Sequence, residues 1–358
     1  MIRTLAILLV ETVLLASTCL GSETLVLSVL ITRHGDRAPF ARIKNADYQW
    51  GTVPADLTPI GMNQEYTLGT RLRKRYVEEM RLLQREYVPN SILCYASSTN
   101  RTIQSALCLL TGLYPPGTGP VLSAAKPALP AKMQVIPIRT VPETSFLILT
   151  PHERHHKILE KYVYHTAPWK KKEEEYRPRF ENWGKTLGYE IKTLKSAVSV
   201  GDVLLCAKSH DFPLPKGMSP EDADAIRGLT SWGLAHQFKV DEVCYLMGGE
   251  LLNKIAGDFA DHIEGKTPHK LVLYSGHDIT IMPLLGLLGR PLNEIPGYAS
   301  CLALELCKND SGAYSIKILF NGEDVILPSA NGAPLLPYEA FVKLVERVNG
   351  RFKNLKFE

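Results

Sequence analysis

The segment Arg33-His34-Gly35-Asp36-Arg37-Ala38-Pro39 sets two guanidinium groups on either side of one imidazole. Arginine forks match the oxygens of a phosphate in a bidentate way, and the imidazole between them can face phosphorus. The positive neighbours lower the proton affinity of His34 and keep it nucleophilic in mild acid. Gly35 allows another group to approach the backbone closely. The bland alternative is a strand-end turn carrying solvated charges. Five fixed letters of the pattern R-H-G-x-R-x-P coincide by chance in roughly one chain of this length in ten thousand, which disfavours it.

Such a segment needs elements to hold it. Thr24 to Thr32 is a β-branched and leucine run ending at Arg33, which predicts a buried strand with the motif at its carboxyl end. Thr58-Pro59-Ile60-Gly61 opens a helix expected to run to about Gln84, with Thr58 as cap and Pro59 in the first position. Ser91 to Tyr95 reads as a second strand, Thr102 to Leu113 as a helix, and Gln134 to Val141 as an edge strand interrupted by Pro137. Pro151 to His236 is helical, charged and tryptophan-bearing, followed by a helix over Asp241 to Ile263 and a strand at Leu271 to Tyr274. Cys301 to Leu306 and Tyr314 to Phe320 form a hairpin around Asn309-Asp310-Ser311-Gly312. The sum is a layered α/β domain with a central mixed sheet flanked by helices, plus a smaller, mainly helical inserted domain. Residues 22–145 and 240–358 are assigned to the body and 146–239 to the insert.

The motif resembles the signature of the histidine acid phosphatase family, and its aspartate variant resembles the prostatic and lysosomal type. Three further segments match in the family's order. They are Leu57-Thr58-Pro59-Ile60-Gly61-Met62-Asn63-Gln64, Ser97-Ser98-Thr99-Asn100-Arg101-Thr102 and Tyr274-Ser275-Gly276-His277-Asp278. The resemblance spans about residues 24 to 340. It implies His34 as nucleophile, with Arg33, Arg37 and Arg101 clamping the phosphoryl oxygens and His277 donating a hydrogen bond to one of them. Asp278 would protonate the leaving alcohol, and water would hydrolyse the phosphohistidine. Three arginines can supply the positive charge that magnesium supplies elsewhere, so neither a cofactor nor a metal is implied. The implied substrates are small phosphomonoesters, phosphotyrosine peptides among them.

The family's disulfide between insert and late sheet has counterparts in Cys206 and Cys301. Cys94, Cys108, Cys244 and Cys307 have none. A homodimer is an open expectation, since the stretch after Pro116 departs from the family's dimer-forming segment. A phytase or other sugar-phosphate phosphatase on the same scaffold is the alternative activity. An inactive phosphate-binding relative would lack the nucleophile or the acid, and both His34 and Asp278 are present.

Two decoys compete. His210-Asp211 is a second His-Asp pair, but it precedes the proline-broken Phe212-Pro213-Leu214-Pro215 and reads as a loop of the insert. His152-Glu153-Arg154-His155-His156 satisfies H-E-x-x-H, which would place His152 and His156 on one helical face for zinc with Glu153 as base. Three fixed letters arise by chance in roughly one such chain in twenty. Pro151 makes the segment a helix start, no third ligand follows, and a solvated helix start is favoured.

The whole-chain properties agree. With 358 residues, 45% of them apolar and 22% charged, the chain can bury a large core. A net charge of +4 is too mild to argue for nucleic acid, and Lys170-Lys171-Lys172 is cancelled by Glu173-Glu174-Glu175. Residues 1–21 read as a signal peptide, with Arg3 before the apolar Leu5 to Ser17 and small residues from Ser17 to Gly21, although Glu11 interrupts the apolar run. That stretch is shorter than the roughly 20 apolar residues of a bilayer span, and the charged carboxyl end offers no anchor. The expected location is secreted, periplasmic or otherwise extracytoplasmic.

Overall fold

A strand buried on both faces needs apolar side chains pointing both ways, and Thr24–Arg33 (β1) supplies them. Val29 and Ile31 enter one hydrophobic core while Leu30 enters another, as alternation along a strand requires. The structure, a computed structural model, describes residues 23–123, 126–142, 144–145 and 147–355, so the signal peptide expected over 1–21 lies outside it.

The elements that follow β1 are α1 (Pro59–Arg73), β2 (Ile92–Ala96), α2 (Asn100–Leu113), β3 (Val121–Ser123), β4 (Lys126–Pro127) and β5 (Arg139–Thr140). Then come the helices α3 (His152–Tyr162), α4 (Ala167–Leu187), α5 (Leu194–Ser209), α6 (Pro220–Gln237) and α7 (Asp241–Ile263). The chain closes with β6 (Leu271–Gly276), α8 (Asp278–Leu287), β7 (Cys301–Lys308), β8 (Tyr314–Phe320), β9 (Glu323–Asp324), β10 (Leu335–Pro337) and α9 (Tyr338–Arg351). The main sheet runs β10-β8-β7-β1-β6-β2-β5, with β9 added to β8. Strands β1, β6, β2 and β5 are parallel, and β7 turns the sheet antiparallel on the other side of β1. This is the mixed, helix-flanked α/β sheet that the sequence predicts.

One core packs α7, α8 and α9 on the sheet around Ile255, Phe259, Leu284 and Phe341. The opposite core packs α1 and α2 around Leu72, Leu109 and Leu113. A third gathers α3 to α6 around Trp183, Leu204 and Ile226 and continues into α7 through Val243 and Met247.

Two expectations need correction. The helix predicted from Thr58 to about Gln84 stops being α-helical at Arg73 and continues as a wider π turn over Lys74–Glu79. That widening accompanies the burial of Tyr76, whose hydroxyl donates to Glu305 at 2.8 Å while Arg75 grips the same carboxylate. The edge strand expected over Gln134 to Val141 is paired only at Arg139–Thr140. Pro137 lies just before that pair and cannot donate to a ladder.

Candidate active site

Three parallel strands end in one register. Arg33 of β1 pairs with Gly276 of β6, and Ser275 of β6 pairs with both Thr32 and Ala96 of β2. The segments leaving these strands therefore emerge side by side at the carboxyl edge of the sheet, where open α/β folds hold ligands. His34, Arg33, Arg37, Arg101, His277 and Asp278 all lie there, the three arginines, His277 and His34 within electrostatic reach of one another.

His34 is buried, and its Nδ1 lies 2.7 Å from the carbonyl oxygen of Gly35. A carbonyl can only accept, so Nδ1 carries the proton and Nε2 keeps its lone pair. Burial, then the charges of Arg101, His277, Arg33 and Arg37, hold the imidazole well below its usual proton affinity. A neutral histidine in a cationic pocket is a nucleophile that survives mild acid.

The glycine of the motif has a geometric reason. A Cβ on Gly35 would come 2.4 Å from the carbonyl oxygen of Gly61, and one on Gly61 would come 2.1 Å from that of Asp36. The motif loop thus lies directly on the first turn of α1. Thr58 caps that turn, accepting from Gly61 N at 3.1 Å while donating to Asp36 Oδ2 at 2.5 Å. Ser105 of α2 accepts the Gly35 N–H at 3.1 Å. Both helices predicted around the motif hold it.

The three arginines share one pattern: terminal nitrogens bound to protein, and a buried Nε with no hydrogen-bond partner. Arg33 donates from Nη1 to Pro296 O and from Nη2 to Asp278 Oδ2 at 2.9 Å, and its guanidinium covers the Tyr298 ring at 4.3 Å. Arg37 gives Nη2 and Nη1 to the two carboxylate oxygens of Asp202 at 2.8 and 3.1 Å. Arg101 donates from Nη2 to His277 Nδ1 at 3.3 Å, and burial followed by repulsion from Arg37 lowers its pKa to about 10. Orphaned donors at a buried site are costly unless an anion meets them.

His277 has both nitrogens engaged. A guanidinium only donates, so Nδ1 accepts from Arg101, and the Nε2 proton points to Ser97 Oγ at 2.9 Å. Asp278 opens α8 and accepts from Ile279 N at 2.8 Å. Burial works to raise its pKa, but Arg33, His277 and Arg37 outweigh that and hold the carboxyl below its usual value.

Three site residues escaped the sequence reading. Tyr298 stands 6.0 Å from His34, ring to ring, and nothing in the sequence marks it. Asp202 binds Arg37, and His210 reaches Asp36 Oδ2 with Nε2 at 2.6 Å. His210 is therefore no remote loop residue, and its partner is the motif rather than the adjacent Asp211. The signal was available: Asp202, Cys206 and His210 recur every four residues, which places them on one helical face.

The expected Cys206–Cys301 disulfide is absent, and both are free thiols. Cys206 Sγ lies 3.4 Å from the Tyr298 hydroxyl and 3.7 Å from Arg37 Nη1, at the site. Cys301 packs in the core beneath α1 and α2. At the start of α3 His152, Glu153 and His156 of the H-E-x-x-H segment are exposed, Glu153 pairing with Lys157 at 2.8 Å and His156 with Glu160 at 3.6 Å, while His155 turns inward. Among the described residues no group of three or more His, Cys, Asp or Glu is gathered as metal ligands. No helix among them is long and apolar enough to cross a membrane.

A buried histidine ringed by arginines at the carboxyl edge of a mixed sheet defines a phosphoryl-handling α/β protein. The chain belongs to the histidine phosphatase superfamily (branch 2), whose sequence pattern matches residues 24–321. It is 30% identical over 365 residues to the lysosomal acid phosphatase of Xenopus laevis, covering 96% of this chain and 81% of that one. It is 29% identical over 335 residues to the prostatic acid phosphatase of Bos taurus, covering 89% and 84%. Among solved structures, the Hafnia alvei phytase in complex with myo-inositol hexakis sulphate superposes with a TM-score of 0.67 at 14% identity, covering 91% and 97%. At that identity the likeness is one of fold.

Proposed function

We propose that the protein hydrolyses phosphate monoesters through a covalent phosphohistidine on His34. The observation that carries this is a neutral His34 with Nδ1 tied to the Gly35 carbonyl, surrounded by three arginines with unpartnered Nε donors. His34 Nε2 attacks phosphorus, and the P–O bond to the alcohol breaks as Asp278 gives its proton to the departing oxygen. Water then attacks the phosphohistidine while Asp278 takes its proton back from it, the P–N bond breaks, and inorganic phosphate leaves with His34 restored. The arginines stabilise charge on the equatorial oxygens, which is most of what phosphoryl transfer requires. His277 contributes by holding Arg101, and a direct hydrogen bond to phosphate would require its ring to release Ser97 or Arg101. The curated relatives named as acid phosphatases support the same activity.

Residues 146–239 act as a cap beside the site, a reading supported by four helices gathered in one hydrophobic cluster that joins the body through α7. An extracytoplasmic destination follows from the leader read over 1–21. The reading is tested by quenching wild type with labelled substrate. Acid-labile, base-stable phosphate is expected on the protein and none on His34→Ala, and substantial turnover by His34→Ala overturns it. A panel of phosphotyrosine peptide, glycerol phosphate, nucleotide, sugar phosphate and phytate at acid pH separates simple monoesterase from phytase.

A further inference from the structure

We infer that helix α5 of the insert sets the geometry of the phosphate-binding loop, with Asp202 and His210 as positioning residues acting through Arg37 and Asp36. Asp202 and Cys206 lie four residues apart on one face of the helix, and His210, its C-cap, follows four residues further on. Each meets the motif or its flank: Asp202 holds Arg37, Cys206 faces Arg37 and Tyr298, and His210 holds Asp36. Eight residues of helical rise span about 12 Å. The helix therefore acts as a splint along consecutive residues of the loop.

The fork between Asp202 and Arg37 decides how that arginine can work. Both terminal nitrogens are occupied, Nη1 a second time by the Ala38 carbonyl at 3.2 Å, and Nε is left buried and unpartnered. Asp202 thus turns the guanidinium so that Nε and the second N–H of Nη2, which share one edge, are the donors left for phosphoryl oxygens. Asp202 also accepts from Phe40 N at 3.4 Å, tying the far end of the loop to the same carboxylate.

His210 is itself fixed. Its ring lies 5.1 Å from both Trp50 and Phe212, and its Nε2 shares Asp36 Oδ2 with the Thr58 hydroxyl that caps α1. Asp36 is fully buried, so each of these donors offsets the cost of its charge. The helix can bear this role because it is locked to its neighbour. A Cβ on Gly201 would come 1.9 Å from Thr230 Oγ1 of α6.

This inference rests on the reading that Arg37 binds the phosphoryl group, and the test separates the two. In the full chain, Asp202→Ala is expected to weaken competitive inhibition by inorganic phosphate and to lower kcat/KM by roughly 10²-fold, the scale of a misplaced binding group. On an Arg37→Ala background the same change is expected to cost nothing further, because the group through which it acts is gone. His210→Ala is expected to lower kcat, and His210→Gln, whose amide still donates to Asp36, to recover most of it. Equal losses with and without Arg37, or unaltered phosphate inhibition in Asp202→Ala, overturn the inference, as does a His210→Gln no better than His210→Ala. Should the alanine variants not fold, Asp202→Asn takes their place in the same cycle. If wild type hydrolyses no monoester yet binds phosphate, the phosphatase reading fails alone, and the cycle is read from phosphate binding by calorimetry. Absence of phosphate binding by wild type overturns both.

Discussion

Arg33 Nη2 stands 2.9 Å from Asp278 Oδ2, so the proposed phosphate clamp and the proposed proton donor are joined before any substrate arrives. The contact has a consequence for pH. Although burial favours the neutral acid, Arg33, His277 and Arg37 keep Asp278 ionised in the free protein down to low pH. An acid must be protonated to donate, so the phosphate dianion has to raise its pKa by bringing negative charge against it and engaging Arg33. The alkaline limb belonging to Asp278 is therefore expected at higher pH in kcat, which reports the complex, than in kcat/KM, which reports the free enzyme. Comparing both profiles over pH 3 to 8 decides it.

Asp278→Asn tests the role itself. General-acid help is typically about 10²- to 10⁴-fold, and a poor leaving group needs it most. Glycerol phosphate is expected to slow by that order, whereas nitrophenyl phosphate, whose phenolate leaves without a proton, loses distinctly less. Equal losses in phosphoenzyme formation would remove Asp278 from this role.

Buried neutral histidines make stability depend on pH. Burial is the leading cause that holds His34 and His277 well below the ordinary histidine value, and it brings His155 down to about 4. Below about pH 6.5 the unfolded chain gains protons at these positions while the folded chain does not. Stability is then lost as pH falls, at about 1.4 kcal/mol per pH unit for each such group. Urea denaturation at pH 6.5 and pH 5 measures the slope. His155→Gln is expected to reduce it by one histidine's share.

The contact between Gly35 and Gly61 predicts a narrow tolerance. Gly61→Ala would drive a Cβ to 2.1 Å from the Asp36 carbonyl oxygen, backbone against side chain, with no flexible group able to yield. Overpacking of this kind costs about 1–3 kcal/mol, and displacement of His34 by about 1 Å costs roughly 10²-fold in rate. Thermal melting and kcat measured together check both effects. Gly257→Ala, where nothing lies near the added atom, serves as the matched control.

Much of this was legible in the sequence, for local reasons. The run Thr24 to Thr32 could only be a buried strand, and Thr58-Pro59 marks a helix start whatever follows, so β1, α1 and the motif between them were readable. The parallel register that brings Ser97 and His277 beside Arg33 was not periodicity; it came through the family resemblance. Tyr298 was invisible because a tyrosine in a loop carries no spacing signal. His210 was misjudged because the prolines after Phe212 mark a loop and outweighed its four-residue spacing from Asp202 and Cys206, while the identity of its partner, 174 residues away, is set by tertiary packing.

The thiols carry a prediction of their own. The chain holds seven cysteines, one of them Cys19 in the expected leader, and the remaining six are all unbonded. Burial raises Cys206 and Cys301 to about 12, so neither is a ready nucleophile in the folded protein. Cys108 is the half-buried one of the six and is expected to react first with a thiol reagent under native conditions. After denaturation without reductant, protein lacking the leader is expected to titrate as six thiols. Four would mean that Cys206 and Cys301 are joined after all, and that Cys206 has left the Tyr298 hydroxyl. Cys206→Ser offers the functional counterpart. With no crosslink to lose and a smaller hydroxyl in place of sulfur beside Arg37, it is expected to keep its melting temperature within a few degrees. A fall of the size that a lost disulfide brings, about 2–5 kcal/mol, would restore the bond and overturn the free-thiol arrangement.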